Sequence, residues 1–433
     1  MTTAEVWLWN RRIGAVTLPA GERFASFEYD PAFQRSGIEL SPLTMPLGSA
    51  VYRFPALQTQ SFHGLPGMLA DALPDKYGNA LIDAWLATQG RTGADFDAVE
   101  RLCYTGTRGM GALEFLPTHG PASTAADSVE IEALVKLASE VLVHRKDLRA
   151  TFAGDAKAEA LREILRVGTS AGGARAKAII AWNAETNEVR SGQVRAPESF
   201  GYWLMKFDGV ANNKDHELAD PKGFGTIEFA YSKMAAIAGV EMAECRLFEE
   251  GGRRHFMTRR FDRLADGDKL HMQSLAALAH LDFNEPRANA YEQAFTTIRA
   301  LGLGQDALDQ QFRRAVFNIV GRNQDDHVKN IAFLMDQSGS WSLAPAFDIA
   351  YAYNPAGDWT SQHQMSLAGL RENFTLDALI DGGKSAGVSP RAVKAIVREV
   401  TEAVGQWRTI ADDIGVPADF VDDVETHLRL DIR

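Results

Sequence analysis

Three side chains in the last third of the chain have the types and spacing to handle a phosphoryl group: Asp325, Asn330 and Asp348. In such chemistry one carboxylate orients a hydroxyl and accepts its proton, while an amide oxygen and a second carboxylate hold magnesium on nucleotide phosphates. Asp325 and Asn330 stand in the run Gly321-Arg322-Asn323-Gln324-Asp325-Asp326-His327-Val328-Lys329-Asn330, and Asp348 closes Pro345-Ala346-Phe347-Asp348. An isolated Asp-x-x-x-x-Asn is most often a solvated turn between helix and strand. Here two acids, His327 and Lys329 share one short polar loop between strongly apolar stretches, and a further Asp follows.

The elements that must position these residues are legible on either side. Phe312, Ala315, Val316, Ile319 and Val320 recur at helical spacing, and Gly321 stands where a helix C-terminus wants a residue tolerant of positive φ. Residues 331–335 predict a strand, 336–340 a turn and 341–344 the returning strand, a hairpin that brings Asp348 back towards Asn330.

A phosphate-handling site also needs cations, and the middle of the chain offers them. Val167-Gly168-Thr169-Ser170-Ala171-Gly172-Gly173-Ala174-Arg175-Ala176-Lys177 has neither the Walker A nor the dinucleotide spacing. Its glycines would let backbone N–H groups and Lys177 approach a phosphate closely, and otherwise it is a plain hairpin tip. Strands are predicted over 178–182 and 202–207, the second carrying Lys206. Thr226 is a plausible N-cap of a helix whose buried face holds Ile227, Ala230, Tyr231, Met234 and Ile237, which places Glu228 as the partner of Lys206. A hairpin over 243–248 and 253–261 follows.

The rest of the chain bounds the answer. With 433 residues, 45% hydrophobic and 24% charged, it has core enough for two or three domains. A net charge of −12 gives no general attraction for nucleic acid or anionic membrane, so DNA contact would need a local basic patch or a basic partner. No stretch approaches ~20 uninterrupted apolar residues, the start has no basic and apolar leader, and Cys103 and Cys245 stand far apart, so a cytoplasmic protein with reduced thiols is expected. Residues 4–29 alternate as a small antiparallel sheet, 67–90 reads as an amphipathic helical stretch broken near Pro74, and 95–104 as a second helix before a strand at 112–116. Residues 117–126 are small and polar and predict a linker. Helical segments begin at 128 and at 156. Beyond about 285 the chain reads mostly helical, with Ser389-Pro390 a strong helix start. Gly382-Gly383-Lys384-Ser385 imitates the tail of a phosphate loop, but Ala378 fills the position of its first glycine and a helical pattern precedes it, so it reads as a helix end and turn.

The step from Asp325 to Asn330 equals that of the kinase catalytic loop. More specifically, residues 323–330 resemble the Asn-x-Asp-x-His-x-Lys-Asn signature of HipA-family serine/threonine kinases, toxins of bacterial toxin–antitoxin pairs, and the Pro-Ala-Phe-Asp348 segment is similar to that family's metal-binding motif. The resemblance extends over nearly the whole chain. It implies an α+β, two-lobed protein-kinase-like fold with an N-terminal strand-and-helix subdomain (1–117), an N-lobe (128–262) and a mainly helical C-lobe (263–433). It further implies ATP and Mg2+ as cofactors, Asp325 as the base, His327 and Lys329 supporting the loop and phosphates, and Asn330 and Asp348 on metal. Lys177, Lys206, Glu228, Gly172 and Gly173 would serve the nucleotide, with backbone groups of Thr258, Arg259 and Phe261 reading adenine. The family's loop carries a Ser seven residues before its Lys, as Ser170 stands before Lys177, which marks Ser170 as an autophosphorylation site with Thr169 the neighbouring alternative. The usual Gln of that loop is Arg175 here. The partners implied are a protein substrate, an aminoacyl-tRNA synthetase and glutamyl foremost, and a helix-turn-helix antitoxin that meets DNA. The competing readings are a nucleotide- and antitoxin-binding module without transfer activity and a small-molecule or lipid phosphotransferase.

Overall fold

A computed structural model describes residues 1–74, 76–93, 96–119, 128–143, 165, 167, 175–210, 214–215, 218–219 and 222–432. The alternating N-terminal stretch becomes β1 (Thr2–Leu8) and β2 (Arg11–Leu18), joined by Trp9 and Asn10 at φ 47° and 60°, the left-handed pair that a two-residue hairpin turn demands. With β3 (Ser26–Tyr29), β4 (Val51–Tyr52) and β5 (Leu113–Leu116) they form a sheet of order β4-β3-β2-β1-β5. The break near Pro74 separates a short turn, Gly67–Ala70, from helix α1 (Lys76–Thr88). Helix α2 (Ala98–Thr105) opens on a capping box between Asp97 and Glu100.

Helix α3 (Ile131–Val143) and strands β6 (Lys177–Trp182), β7 (Val189–Ser191), β8 (Gly201–Lys206), β9 (Cys245–Glu250) and β10 (Arg253–Arg259) make the N-lobe, a sheet of order β9-β10-β8-β6-β7. Tyr77, Leu81 and Leu86 of α1 share a core with Leu134 and Ala138 of α3 and with Ile180 and Met205 of the sheet. The apolar face of α1 therefore ties the N-terminal segment to the N-lobe sheet.

Helix α4 (Phe224–Ile237) crosses between the lobes. It starts at Gly223, not at the predicted cap: the Thr226 hydroxyl sits inside the first turn and donates to the Gly223 carbonyl at 2.6 Å. The correction leaves Glu228 buried on the helix, at 1% exposure. Ile227, Ala230 and Tyr231 join the C-lobe core with Phe312, Val316 and Val400.

The C-lobe runs from β11 (His271–Ser274) and α5 (Leu275–Ala279) through α6 (Tyr291–Ala300) and α7 (Gln305–Val320) to the polar loop. After it, β12 (Ala332–Met335) and β13 (Trp341–Leu343) pair as the expected hairpin, and β12 also pairs with β11. Helices α8 (Leu376–Ser385), α9 (Pro390–Val404), α10 (Trp407–Ile414) and α11 (Ala418–His427) complete the lobe. Ser389 caps α9, accepting from the Ala392 N–H, with Pro390 at its first position. Gly382 and Gly383 close α8. A Cβ on Gly383 would stand 2.3 Å from the Val393 side chain of α9 and one on Gly382 2.6 Å from the Leu367 side chain, so both are glycine for close packing.

Candidate active site

Helix α7 does not end as the sequence predicted. Gly321 has φ −82°, an ordinary helical value, and Arg322 takes the left-handed conformation at φ 56°. Gly321 is small for a different reason: a Cβ there would lie 3.1 Å from the Phe317 carbonyl and 3.4 Å from the Tyr231 ring. Arg322 is held in its turn by its guanidinium, which donates from Nε to the His427 carbonyl at 2.7 Å and from Nη1 to Gln324 Oε1 at 3.0 Å.

The loop beyond is bonded to itself. The His327 N–H and the Asn330 side-chain N–H2 both donate to the Asp325 carbonyl, at 2.9 and 3.0 Å, and the Asn330 N–H donates to the His327 carbonyl at 2.9 Å. The amide nitrogen thus ties Asn330 to the loop, and the residue lines a small cavity. His327 Nδ1 accepts from the Lys329 N–H at 3.3 Å, so the ring proton sits on Nε2, 3.9 Å from Asp325 Oδ1. Asp325 Oδ1 also accepts from the Trp359 indole N–H at 2.6 Å. That bond fixes one oxygen of the carboxylate.

Asp326 is the anchor of the loop. Its carboxylate accepts from the Tyr291 hydroxyl at 2.7 Å, the Gln364 N–H at 2.8 Å and His363 Nδ1 at 2.8 Å. Arg429 Nη1 donates to His363 Nε2 at 2.8 Å, which places the ring proton on Nδ1. Burial lowers the His363 pKa against the pull of Asp326, so the ring stays neutral.

Asp348 lies at φ 56°, a strained conformation for a residue with a side chain, and lines one small cavity together with Asn330 and His327. The backbone of Ala346 is pinned to residues 241–243: its N–H donates to the Glu241 carbonyl at 2.7 Å and its carbonyl accepts from the Ala243 N–H at 3.2 Å. From the other lobe, Lys206 reaches both Glu228, at 2.5 Å, and Asp348. Arg175 stands 3.9 Å from the second Glu228 oxygen with its guanidinium 4.1 Å above the Phe224 ring. Lys177 is buried on the neighbouring strand, directly paired with Lys206 in the sheet register. Burial would lower Lys206, but the Asp348 and Glu228 carboxylates outweigh it and hold the ammonium above its ordinary value. Burial would likewise raise Asp348, but Lys206, Lys177 and Arg175 hold it well below the carboxylate range. Glu228 is raised by burial, with Lys206 opposing.

The remaining candidates fall less centrally. Lys329 Nζ lies 3.9 Å from Asp71 of the N-terminal segment and 4.7 Å over the Phe283 ring. Thr258 is half-buried in β10. Arg259 sends its guanidinium to Glu244 at 3.0 Å, and the N–H groups of Arg259 and Arg260 donate to the carbonyls of Glu244 and Tyr202. Those two donors are thus used by the fold. Phe261 stacks near Phe347, ring centres 5.4 Å apart. Thr169, Ser170, Gly172 and Gly173 lie outside the described residues. Sequence reading gave no site role to Asp71, Arg175, Trp359, His363 and Arg429. Arg175 alone carried a signal, as a cation two residues before Lys177; the others come from distant segments.

Among the described residues no group of three His, Cys, Asp or Glu is placed to hold a metal. Magnesium is commonly held by one or two carboxylates together with substrate phosphates, and Asn330 with Asp348 is an oxygen donor set of that kind. No helix among the described residues is long and apolar enough to cross a membrane.

Comparison with known proteins bears on this site. A family model described as the HipA-like C-terminal domain matches residues 169–407, and one described as the HipA N-terminal domain matches residues 4–116. The structure is similar to that of a Shewanella oneidensis HipA in complex with HipB and its operator DNA, with a TM-score of 0.67 and 18% identity over 98% of this chain and 95% of that one. A Helicobacter pylori proinflammatory kinase, CtkA, aligns over 60% of this chain and 90% of its own, with a TM-score of 0.38 and 12% identity. No curated protein matches.

Proposed function

The chain belongs to the HipA family and has its two-lobed kinase-like fold, and from that premise we propose that it is an ATP- and Mg2+-dependent protein serine/threonine kinase, the toxin of a toxin–antitoxin pair. The observation that carries the reading is the line of charges Arg175, Glu228, Lys206 and Asp348, which ends in the cavity that Asn330 lines. A structural ion pair has no use for a second carboxylate on the same lysine, whereas a phosphate site does: Lys206 held by Glu228 is ready for a phosphate, and Asp348 for a metal.

Bound Mg-ATP would supply the transferable phosphoryl group and neutralise the charge that develops on it. The chain's own residues do the rest. Lys206, Lys177 and Arg175 would attract the phosphates, Asn330 Oδ1 and the Asp348 carboxylate would hold the metal, and the Asp325 carboxylate would orient and deprotonate the substrate hydroxyl. Trp359 and His327 keep that carboxylate in one orientation. Ser170 is the proposed autophosphorylation site, since a phosphate of −1.5 to −2 charges beside these cations would compete with the nucleotide.

Purified protein with Mg2+ and labelled ATP should incorporate phosphate into protein. Asp325→Asn should lower transfer by about 10²- to 10⁴-fold with nucleotide affinity retained. Intact mass should show one added phosphate, absent in Ser170→Ala and in Asp325→Asn. Undiminished transfer by Asp325→Asn removes that residue from the base role. The HipA of the similar complex is bound to HipB and operator DNA. We propose a HipB-like helix-turn-helix antitoxin for this chain too, with DNA met mainly through it, in keeping with the net charge of −12. An aminoacyl-tRNA synthetase, glutamyl foremost, is the proposed target. Phosphosite mapping in a lysate would identify it, and a phosphorylated metabolite with no protein hit would turn the assignment to a small-molecule kinase.

A further inference from the structure

The N-terminal segment reaches the loop of Asp325 and Asn330 through Asp71. The turn Gly67–Ala70 is seated on α5: the Gly67 N–H donates to His280 Nε2 at 3.1 Å, and a Cβ on Gly67 would lie 2.5 Å from the Ala277 carbonyl. Asp71 follows this turn, and Ser274 takes both of its oxygens, Oδ2 with its N–H at 2.7 Å and Oδ1 with its hydroxyl at 2.8 Å. The carboxylate is therefore fixed by the fold without help from a cation. Lys329 Nζ lies 3.9 Å from its Oδ1, and among the described residues no other carboxylate comes within 4 Å of that ammonium. Lys329 immediately precedes Asn330, and its own N–H donates to His327 Nδ1 within the single turn Val328–Asn330. On the far side of Asn330, the Ile331 carbonyl accepts from the Leu275 N–H at 2.8 Å, and Leu275 adjoins the Ser274 that holds Asp71. One carboxylate thus bears on the chain at both sides of Asn330, through Lys329 before it and through Ser274 and Leu275 after it.

A partly exposed pair at this distance adds little to stability, because solvent screens it and the lysine loses rotamer freedom to make it. Its effect is placement: an ammonium on a flexible four-carbon stem settles where a fixed negative charge holds it. We propose that Asp71 is a positioning residue for phosphoryl transfer, setting Lys329 and, through it, the turn that presents His327 and Asn330. The inference rests on the kinase reading and adds that the N-terminal segment, more than 250 residues earlier in the chain, completes the catalytic loop.

Asp71→Asn tests this, because the amide keeps the shape and can still meet the Ser274 N–H and hydroxyl while losing the charge. In the full chain, with Mg2+, ATP and casein as acceptor, kcat should fall about tenfold or more. The KM for ATP should stay within about twofold, since Lys206 and Lys177 stand on β8 and β6 of the other lobe. Lys329→Met should match this pattern, and the double variant should be no slower than the slower single one. A second readout does not use activity. The His327 and Asn330 amides are bonded inside the loop, so hydrogen exchange in peptides spanning 323–331 should be about threefold or more faster in Asp71→Asn than in the parent, with peptides of α9 unchanged. A parent that transfers no phosphate overturns the kinase reading, and the exchange comparison then decides by itself whether Asp71 orders the loop. Exchange in 323–331 unchanged by Asp71→Asn, losses that multiply in the double variant, or faster exchange spread over the whole C-lobe each overturns the proposal, the last by making Asp71 a docking residue only.

Discussion

Glu228 is almost fully buried yet serves two cations, Lys206 through one oxygen and Arg175 through the other. Replacing it by Gln keeps the shape and removes the charge, so Lys206 would lean on Asp348 and Arg175 would lose the Glu228 carboxylate. Glu228→Gln should cost about 1–3 kcal/mol of stability in urea unfolding and raise the KM for ATP at least tenfold. A variant as stable and as active as the parent would make the pair incidental. Asp348→Asn differs in kind. It takes one carboxylate from Lys206 and leaves Glu228 in place, and calorimetry should find Mg-ATP binding weakened about tenfold or more; unaltered affinity would remove Asp348 from the metal site. The Lys206 and Glu228 positions were legible because a strand ending in Lys and a helix with one acid on its buried face are local patterns. Arg175 was legible as a cation but not as a partner of Glu228, since stacking on Phe224 depends on how β6 meets α4. Lys329 was legible as a charge and misleading in its direction, because Asp71 lies more than 250 residues earlier in the chain.

The helix, loop and hairpin around Asp325 follow from periodicity and turn residues, which act over a few positions. What holds the loop does not. Arg429, in the segment after α11, donates to the Ile319 carbonyl at 3.0 Å and to His363 at 2.8 Å, and His363 in turn fixes Asp326 beside the proposed base. No sequence pattern links residues 326, 363 and 429, and only the packing of α11 against the end of α7 brings them together. The chain of contacts predicts that Arg429→Met and His363→Gln each lower kcat about tenfold while the KM for ATP stays within about twofold, because Asp325 is displaced and the phosphate cations are not. Acting through one another, the two changes should combine to far less than the product of their separate effects. Multiplicative losses, or a KM effect as large as the kcat effect, would mean that the tail merely stabilises the lobe.

At the scale of the whole molecule, the N-terminal segment is bolted to both lobes by buried charge. Asp262 accepts from Arg260 and Arg263 and from the Gly111 N–H, while both arginines also donate to the Gly109 carbonyl. Asp71 binds the N–H and hydroxyl of Ser274, the cap of α5. Such joints titrate, and so do the histidines buried near them. His255 Nδ1 accepts from the Asp208 N–H at 2.9 Å, and His271 Nε2 is 2.8 Å from the Gln273 amide nitrogen, so protonating either ring removes an acceptor from a core position. Burial lowers both to about 4, against about 6.5 in the unfolded chain. Between those values the unfolded state binds the additional protons, so stability is full above about pH 6.5 and is lost as the pH falls towards 4. The two rings together give a slope of at most about 2.7 kcal/mol per pH unit. Asp262 and Asp348, both held below the ordinary carboxylate range, keep their contribution through this window and lose it only below about pH 4. Urea unfolding at pH 7, 6, 5 and 4.5 should therefore show a midpoint that falls steadily from pH 6.5 downward. Burial lowers His280 to about 4 as well, so His271→Gln, neutral at every pH, should flatten the fall by roughly a third. A midpoint constant from pH 7 to 5 would mean that these rings are solvated and titrate near their ordinary value.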